Sequence, residues 1–373
     1  MSIDDLCEQA PAYIRAIAPY LPGKPITAVA RELGLDVSAI VKLASNENPS
    51  GMSPRARAAI EAELGGAFRY PDGYALIQAV ALRVGVEPSQ VVLGNGSNDL
   101  LEMVASAFLA PGRAAVYAQY AFTVYPLATQ ARGARPIVVP ARDFGHDLPA
   151  MRAAIDAETQ VVFIANPNNP TGTRLSAAEL ADFLGTIPAR VIVVLDEAYN
   201  EYLPPGERTA SVEWLARHPN LIITRTFSKA YGLAGLRVGY ALAHPRIADL
   251  LNRVRQPFNV NNLALAAAEA ALSDAAFVER SYELNAEGMR RLVAGVTELG
   301  LDHIPSHGNF VCVRIPRAGS EPRAAAVYQA LLRQGVIVRP LANYGMLDHL
   351  RVTIGLPHEN ERFLQTLGES LDA

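Results

Sequence analysis

The feature that most constrains this chain is a series of short, unbroken apolar runs. Val91-Val92-Leu93, Ala114-Ala115-Val116-Tyr117, Pro136-Ile137-Val138-Val139, Val161-Val162-Phe163-Ile164, Val191-Ile192-Val193-Val194-Leu195 and Leu221-Ile222-Ile223 follow one another along the sequence. A strand with one face in water alternates apolar and polar residues, whereas a strand covered on both faces is apolar throughout. Arg237-Val238-Gly239-Tyr240-Ala241-Leu242 adds a further strand candidate. Between the runs lie helical patterns, as in Asp99–Leu109, where Leu100, Leu101, Val104, Ala107 and Phe108 recur at helical spacing. This alternation predicts an α/β domain with a mostly parallel, seven-stranded sheet, helices on both faces and right-handed crossovers.

A smaller α+β unit is expected after it. The Ala-rich helix Ala264–Leu272 leads to strands at Phe310–Ile315, Val336–Arg339 and Leu350–Ile354, with helices at Ala324–Gln334 and Asn360–Leu371. At the other end, a short helix is expected over Cys7–Ala16, then a Pro/Gly-rich arm over Pro19–Pro25, and a further helix near Arg55–Leu64. The expected division is an N-terminal arm belonging partly to the small domain (1–45), a large domain (46–260), and a linking helix with the small C-terminal domain (261–373). With 373 residues, half of them hydrophobic, the chain can bury cores for both. A net charge of −4 carries no footprint of nucleic acid or an anionic membrane. The start, Met1-Ser2-Ile3-Asp4-Asp5, lacks a basic and then apolar leader, and no run is long enough for a bilayer, so a cytoplasmic protein is expected. Cys7 and Cys312, far apart, fit a reducing compartment. His303 and His307 are interrupted by Pro305, so no metal site is expected.

Ligands in open α/β sheets sit beyond the carboxyl ends of the strands. Four segments fall there: Gly94-Asn95-Gly96-Ser97-Asn98, Asn166-Pro167-Asn168-Asn169-Pro170-Thr171-Gly172, Asp196-Glu197-Ala198-Tyr199 and Thr226-Phe227-Ser228-Lys229. A lysine at the end of a buried strand loses hydration, which lowers its pKa and suits it to attack an aldehyde. Thr226, Ser228 and Arg237 around Lys229 supply donors for a phosphate. Gly96, Ser97 and Asn98 open a helix, whose free N–H groups also bind phosphate. A lysine beside a phosphate nest points to a phosphorylated aldehyde, of which pyridoxal 5'-phosphate (PLP) is the common one.

The pattern Ser228-Lys229-x-x-x-Leu233-x-Gly235-Leu236-Arg237-x-Gly239, with the Pro167–Gly172 turn and Asp196–Tyr199 before it, resembles the class II aminotransferases of fold type I. Within that class the chain is most similar to the histidinol-phosphate aminotransferases, from Pro19-Tyr20 through Arg351. The resemblance implies that Lys229 carries PLP and acts as acid and base, that Asp196 pairs with its ring nitrogen, and that Tyr199 and Asn169 hold its phenolic oxygen. It implies a constrained peptide at Asn169-Pro170. Many relatives have aspartate where this chain has Asn98, and a neutral amide sits easily beside a phosphate dianion. Phe122 matches the aromatic that stacks on the ring, with Tyr120 a competing candidate. Tyr70, in Arg69-Tyr70-Pro71-Asp72, matches a tyrosine that reaches the phosphate in the partner subunit of a homodimer. Arg351 matches the arginine that grips a substrate carboxylate, and Arg339 and Tyr20 fall where the substrate phosphate binds. The implied reaction moves an amino group from L-histidinol phosphate to 2-oxoglutarate, a step of histidine biosynthesis. Two enzyme alternatives share the scaffold: aromatic amino-acid aminotransferases, and PLP-dependent decarboxylases or lyases. A non-catalytic binding protein is a third, though it would need no intact Lys229, Asp196 and Tyr199 together.

Overall fold

The computed structural model describes residues 3–20, 23–208 and 210–371. Met1 and Ser2, and Leu21 and Pro22 of the proline-rich arm, lie outside them. The apolar runs form one seven-stranded sheet. Its strands are β1 (Val91–Gly94), β2 (Ala114–Ala118), β3 (Arg135–Val139), β4 (Thr159–Ala165), β5 (Ile192–Asp196), β6 (Leu221–Thr226) and β7 (Gly239–Ala243). Their order across the sheet is β1-β7-β6-β5-β4-β2-β3. All pairs are parallel except the two that β7 makes with β6 and β1.

Unbroken apolarity has the expected cause. Val193, Leu195, Leu221 and Ile223 enter one apolar layer, and Ile192, Val194 and Ile222 enter another on the opposite face. Burying each such side chain contributes about 1.5–3 kcal/mol. Side-chain alternation then continues past the end of the apolar run. It puts Asp196, Thr224 and Thr226 on the face of Ile192 and Ile222, and Glu197 and Arg225 on the other.

The small unit holds a four-stranded antiparallel sheet in the order Arg339–Pro340, His349–Thr353, Phe310–Arg314, Asp302–Ile304. Helices Ala324–Arg333 and Pro357–Leu371 and the end of the 24-residue helix Ala275–Glu298 cover it. Val41–Lys42 pairs in parallel with Val336–Ile337, and the helix Ile26–Leu33 packs beside it, so this part of the N-terminal chain belongs with the small unit, whereas the helix Ala12–Arg15 lies against Val124–Ala131 of the large one. No helix among the described residues is long and apolar enough to cross a membrane.

Three expectations are corrected. The single helix over Cys7–Ala16 is two, Ile3–Glu8 and Ala12–Arg15, because Pro11 has no N–H to continue the first and instead opens the second. The single strand over Val336–Arg339 is divided, its first half pairing with Val41–Lys42 and its second with the four-stranded sheet. Arg237 lies ahead of its strand rather than in it, since its φ of 57° is left-handed and cannot join a ladder.

Candidate active site

The carboxyl ends of β1, β4, β5 and β6 meet the small sheet at a cavity of about 230 Å³. One turn holds its first wall. Gly96 has φ 81° and ψ 167°, a conformation essentially confined to glycine. A Cβ there would lie 2.3 Å from Nη2 of Arg237. The 12-residue helix Ser97–Phe108 begins at this glycine with no side-chain cap, so its first N–H groups face outward. Arg237 is fixed over the turn: its Nη1 donates to Oγ of Ser228 and to the carbonyl of Ala234, both at 3.0 Å. Its left-handed backbone costs roughly 1–2 kcal/mol, which the surrounding structure sustains. Thr226 Oγ1 accepts from the Ser228 N–H at 3.1 Å.

Asp196 ends β5 nearly enclosed, at 4% exposure. Its oxygens accept from the Tyr125 hydroxyl (2.9 Å) and the Thr224 hydroxyl (3.1 Å). No cation pairs with it among the described residues. Burial therefore raises its pKa to about 6, against the lowering effect of the two hydroxyls. Lys229 is shifted the opposite way. Burial first, then the charges of Arg351 and Arg237, bring its pKa down to about 8. Its Nζ donates to the Ser45 carbonyl at 3.2 Å and lies 5.8 Å from the Tyr199 ring centroid.

Tyr199 is buried, and burial pushes its phenol up to about 12, so it is a neutral donor. Its oxygen accepts from Asn46 Nδ2 at 2.9 Å, which leaves its own proton for another acceptor. Asn169 accepts through Oδ1 from Arg351 Nη1 at 2.5 Å, which leaves its amide hydrogens as donors. Both Asn166-Pro167 and Asn169-Pro170 are cis. Arg351 is 7% exposed and makes no ion pair among the described residues, and its Nε has no partner. Such a guanidinium is prepared for an anion. Arg339 stands with its guanidinium carbon 5.6 Å from the Tyr20 ring centroid, at the more exposed mouth.

Lys229, Asp196, Tyr199, Ser97, Asn98, Phe122, Asn169, Thr226, Ser228, Arg237, Tyr20, Arg339 and Arg351 all line this one cavity. Gly96 backs it through Arg237. Phe122 lines it, whereas Tyr120 stacks on Phe144 at 5.9 Å, away from it. Tyr70 does not line it; it is 80% exposed and stacks on Phe258 with centroids 4.4 Å apart. Sequence reasoning missed Thr224, Tyr125, Asn46 and Tyr344. Thr224 was open to discovery, two residues before Thr226 on the same strand face. Tyr125 carries no signal of its own, being one buried aromatic among several. Asn46, with φ 55°, belongs to the segment Ala44–Asn46 that ties the two sheets together. Its N–H donates to Thr353 Oγ1 at 2.9 Å, while Ala44 accepts from Arg351 Nη2 at 3.0 Å.

This donor set fits PLP group by group. There is a carboxylate for the ring nitrogen, two neutral donors for the phenolic oxygen, an N–H-rich turn with Arg237 for the phosphate, and a lysine for the aldehyde. Comparison with known proteins agrees with the geometry. Residues 38–367 match the family model described as aminotransferase class I and II. A histidinol-phosphate aminotransferase of Dechloromonas aromatica is 61% identical, over 98% of this chain and 99% of that one. Another, from Pseudomonas fluorescens, is 60% identical over 96% of each. Among solved structures, the histidinol-phosphate aminotransferase of Sinorhizobium meliloti in complex with pyridoxal-5'-phosphate superposes with a TM-score of 0.89, at 29% identity and 98% coverage of both chains. Matches of this extent, spanning both sheets and the cavity between them, place the chain in the class I and II aminotransferase family, among the histidinol-phosphate aminotransferases.

Proposed function

We propose that this chain is a PLP-dependent transaminase that moves the amino group of L-histidinol phosphate to 2-oxoglutarate, giving imidazole-acetol phosphate and L-glutamate. The observation that carries the substrate reading is the buried Arg351, without an ion-pair partner among the described residues, beside Arg339 and Tyr20 in the same cavity as Lys229. When bound, PLP supplies the electron sink for the pair left behind as the substrate C–H bond breaks. The chain's own residues do the rest. Asp196, as a carboxylate, holds a proton on the ring nitrogen. Tyr199 and Asn169 donate to the phenolic oxygen, and Phe122 packs the ring. Ser97, Asn98, Thr226, Ser228 and Arg237 hold the phosphate at the helix start. Lys229, with a pKa of about 8, sits near neutrality and can take a proton from the substrate carbon onto Nζ and pass it to the carbon that was the cofactor's aldehyde.

Histidinol phosphate has no carboxylate. Arg351, Arg339 and Tyr20 therefore meet its phosphate, and the same arginines meet a carboxylate of 2-oxoglutarate in the second half-reaction. Each charge-assisted hydrogen bond is worth about 1.5–3 kcal/mol, so Arg351→Ala should cost on the order of tenfold or more in kcat/KM for both. Tyr70, exposed on a single subunit, is read as completing the site of a second copy in a homodimer.

The test is a panel of amino donors against the PLP-loaded protein, followed by conversion of the bound cofactor's visible absorption. L-Histidinol phosphate should convert it fastest, and glutamate should accumulate with 2-oxoglutarate. Ready conversion by phenylalanine or tyrosine with almost none by histidinol phosphate would establish the aromatic alternative. Release of carbon dioxide without glutamate would establish the decarboxylase.

A further inference from the structure

We propose that the buried Glu197–Arg225 ion pair is a positioning pair that fixes the distance between two anchors, the Asp196 carboxylate and the phosphate cradle at Gly96 and Arg237. The proposal rests on the PLP reading above. Neither residue faces the site: both lie on the sheet face opposite Asp196 and Thr226. Arg225 donates through Nε and Nη2 to the same oxygen of Glu197, Oε2, at 2.9 and 2.8 Å. The side chains are 12% and 1% exposed.

Its place in the sheet is what matters. The register of β5 with β6 ends at Asp196 opposite Thr224. The last backbone rung beyond it is the Glu197 N–H to the Thr224 carbonyl, at 2.9 Å. Past that rung the ion pair is what joins the two strand ends, one residue beyond the hydroxyl of Thr224 that holds Asp196. Arg225 also stands opposite Tyr240 on β7, where its charge acts on the buried phenol. The next pair in that ladder is Thr226 with Gly239. A Cβ on Gly239 would sit 2.9 Å from the backbone nitrogen of Ser97, so β7 is pressed directly against the helix start that forms the cradle. Arg225 therefore joins the strand that ends in Asp196 to the strand that ends in Ser228-Lys229, and packs opposite Tyr240 on the strand that backs Gly96 and Ser97.

Stability is a poor account of this pair. Both guanidinium nitrogens converge on one carboxylate oxygen, and Oε1 of Glu197 is buried with no partner. A buried ion pair replaced by packed apolar residues often loses nothing, because the desolvation cost disappears with the attraction. What apolar residues would lose is direction: they do not fix where two strand ends stop relative to each other. PLP needs that spacing because its ring nitrogen and its phosphate belong to one molecule, joined through the ring and a single methylene. A free phosphate needs only the cradle.

That difference supplies the test. The double variant Glu197→Leu with Arg225→Met removes both charges of the pair, and Glu201, whose carboxyl pKa the Arg225 charge also lowers, keeps the charge of Arg208. Its apoprotein is titrated calorimetrically with PLP and, separately, with inorganic phosphate, and its melting temperature is recorded. PLP should bind more weakly by on the order of 10- to 100-fold, the loss that removing the outer partners of a metal site brings. Phosphate affinity and melting temperature should stay as in the wild type. Unchanged PLP affinity would overturn the proposal, and so would equal weakening of PLP and phosphate. Should the double variant fail to fold, Arg225→Lys keeps the charge without the fork. It should weaken PLP and spare phosphate, and unchanged PLP binding there overturns the proposal equally. Wild-type apoprotein that takes up no PLP would overturn the function proposed above, and is read separately from any variant.

Discussion

Asp196 is a carboxylate held in the sheet with two hydroxyls and no cation, and that arrangement has a cost when PLP is absent. Its pKa is raised from 3.8 to about 6 by burial. Below the lower value the group is protonated whether the chain is folded or not, and it costs nothing. As the pH rises through the window, the unfolded chain ionises first and the apoprotein loses stability. Above the upper value the loss is complete, about 3 kcal/mol for a shift of two units. Asp196→Asn should therefore stabilise the apoprotein at pH 8 by up to about 3 kcal/mol and leave it unchanged near pH 3.5. PLP should raise the melting temperature of the wild type more than that of the variant, because only the carboxylate holds the ring nitrogen's proton. Urea unfolding of both apoproteins at the two pH values checks the first claim. A variant no more stable than wild type at pH 8 would show that the buried charge is compensated.

At the scale of elements, the strand-to-helix turn at Gly96 makes an equally sharp expectation. Gly96→Ala combines a positive φ with a Cβ 2.3 Å from Arg237. The backbone strain should cost about 1–2 kcal/mol of stability. Displacing Arg237 should weaken PLP by about tenfold or more, the worth of one charge-assisted hydrogen bond. Gly65→Ala is the control, since nothing lies within 4 Å of that position. Equal PLP affinity in Gly96→Ala and Gly65→Ala would remove Arg237 from the cradle. The turn could be anticipated from sequence because a glycine between an apolar run and a helix has few other uses. The strands were legible for a related reason: coverage on both faces leaves no polar residue to break the run. The helix Ala275–Glu298 was not, although it is the longest of the described elements. Its buried side carries Ser281, Asn285 and Gly288 among Phe277, Leu292 and Val296, so the apolar period is interrupted where the helix passes between the two units. Asn285 Nδ2 there donates to the Gly308 carbonyl at 3.2 Å, and Ser281 accepts from Asn48 at 2.9 Å. These polar bridges span 23 and 233 positions of the chain. No local pattern announces them, and the bonds of Asn46 to Tyr199 and of Tyr125 to Asp196 are hidden for the same reason.

At the scale of the whole molecule, the surface near Tyr70 is the feature a single subunit leaves unexplained. Phe68, Tyr70, Tyr74 and Phe258 are 79%, 80%, 67% and 56% exposed. Exposed aromatics gathered on one surface mark an interface more often than free surface. Their loop is nonetheless held in place: Asn262 Nδ2 donates to the carbonyls of Gly66 and Arg69 at 3.4 and 3.3 Å. A fixed loop carrying unburied rings suits a second copy related by a two-fold axis, where each subunit gives the other the same patch. The expectation is a homodimer in sedimentation at micromolar concentration, with Tyr70 of each chain completing its neighbour's site. Tyr70→Ala and Lys229→Ala should then be nearly inactive alone, for different reasons. Mixed and allowed to exchange subunits, they form heterodimers in which one site has Lys229 from one chain and Tyr70 from the other, and the second site has neither. Random exchange makes half the dimers of this kind, so activity should return to about a quarter of the wild-type value. Sedimentation with one variant labelled verifies that exchange has occurred. Activity that stays at the level of the separate variants after exchange would confine each site to its own chain and leave Tyr70 a contact residue only.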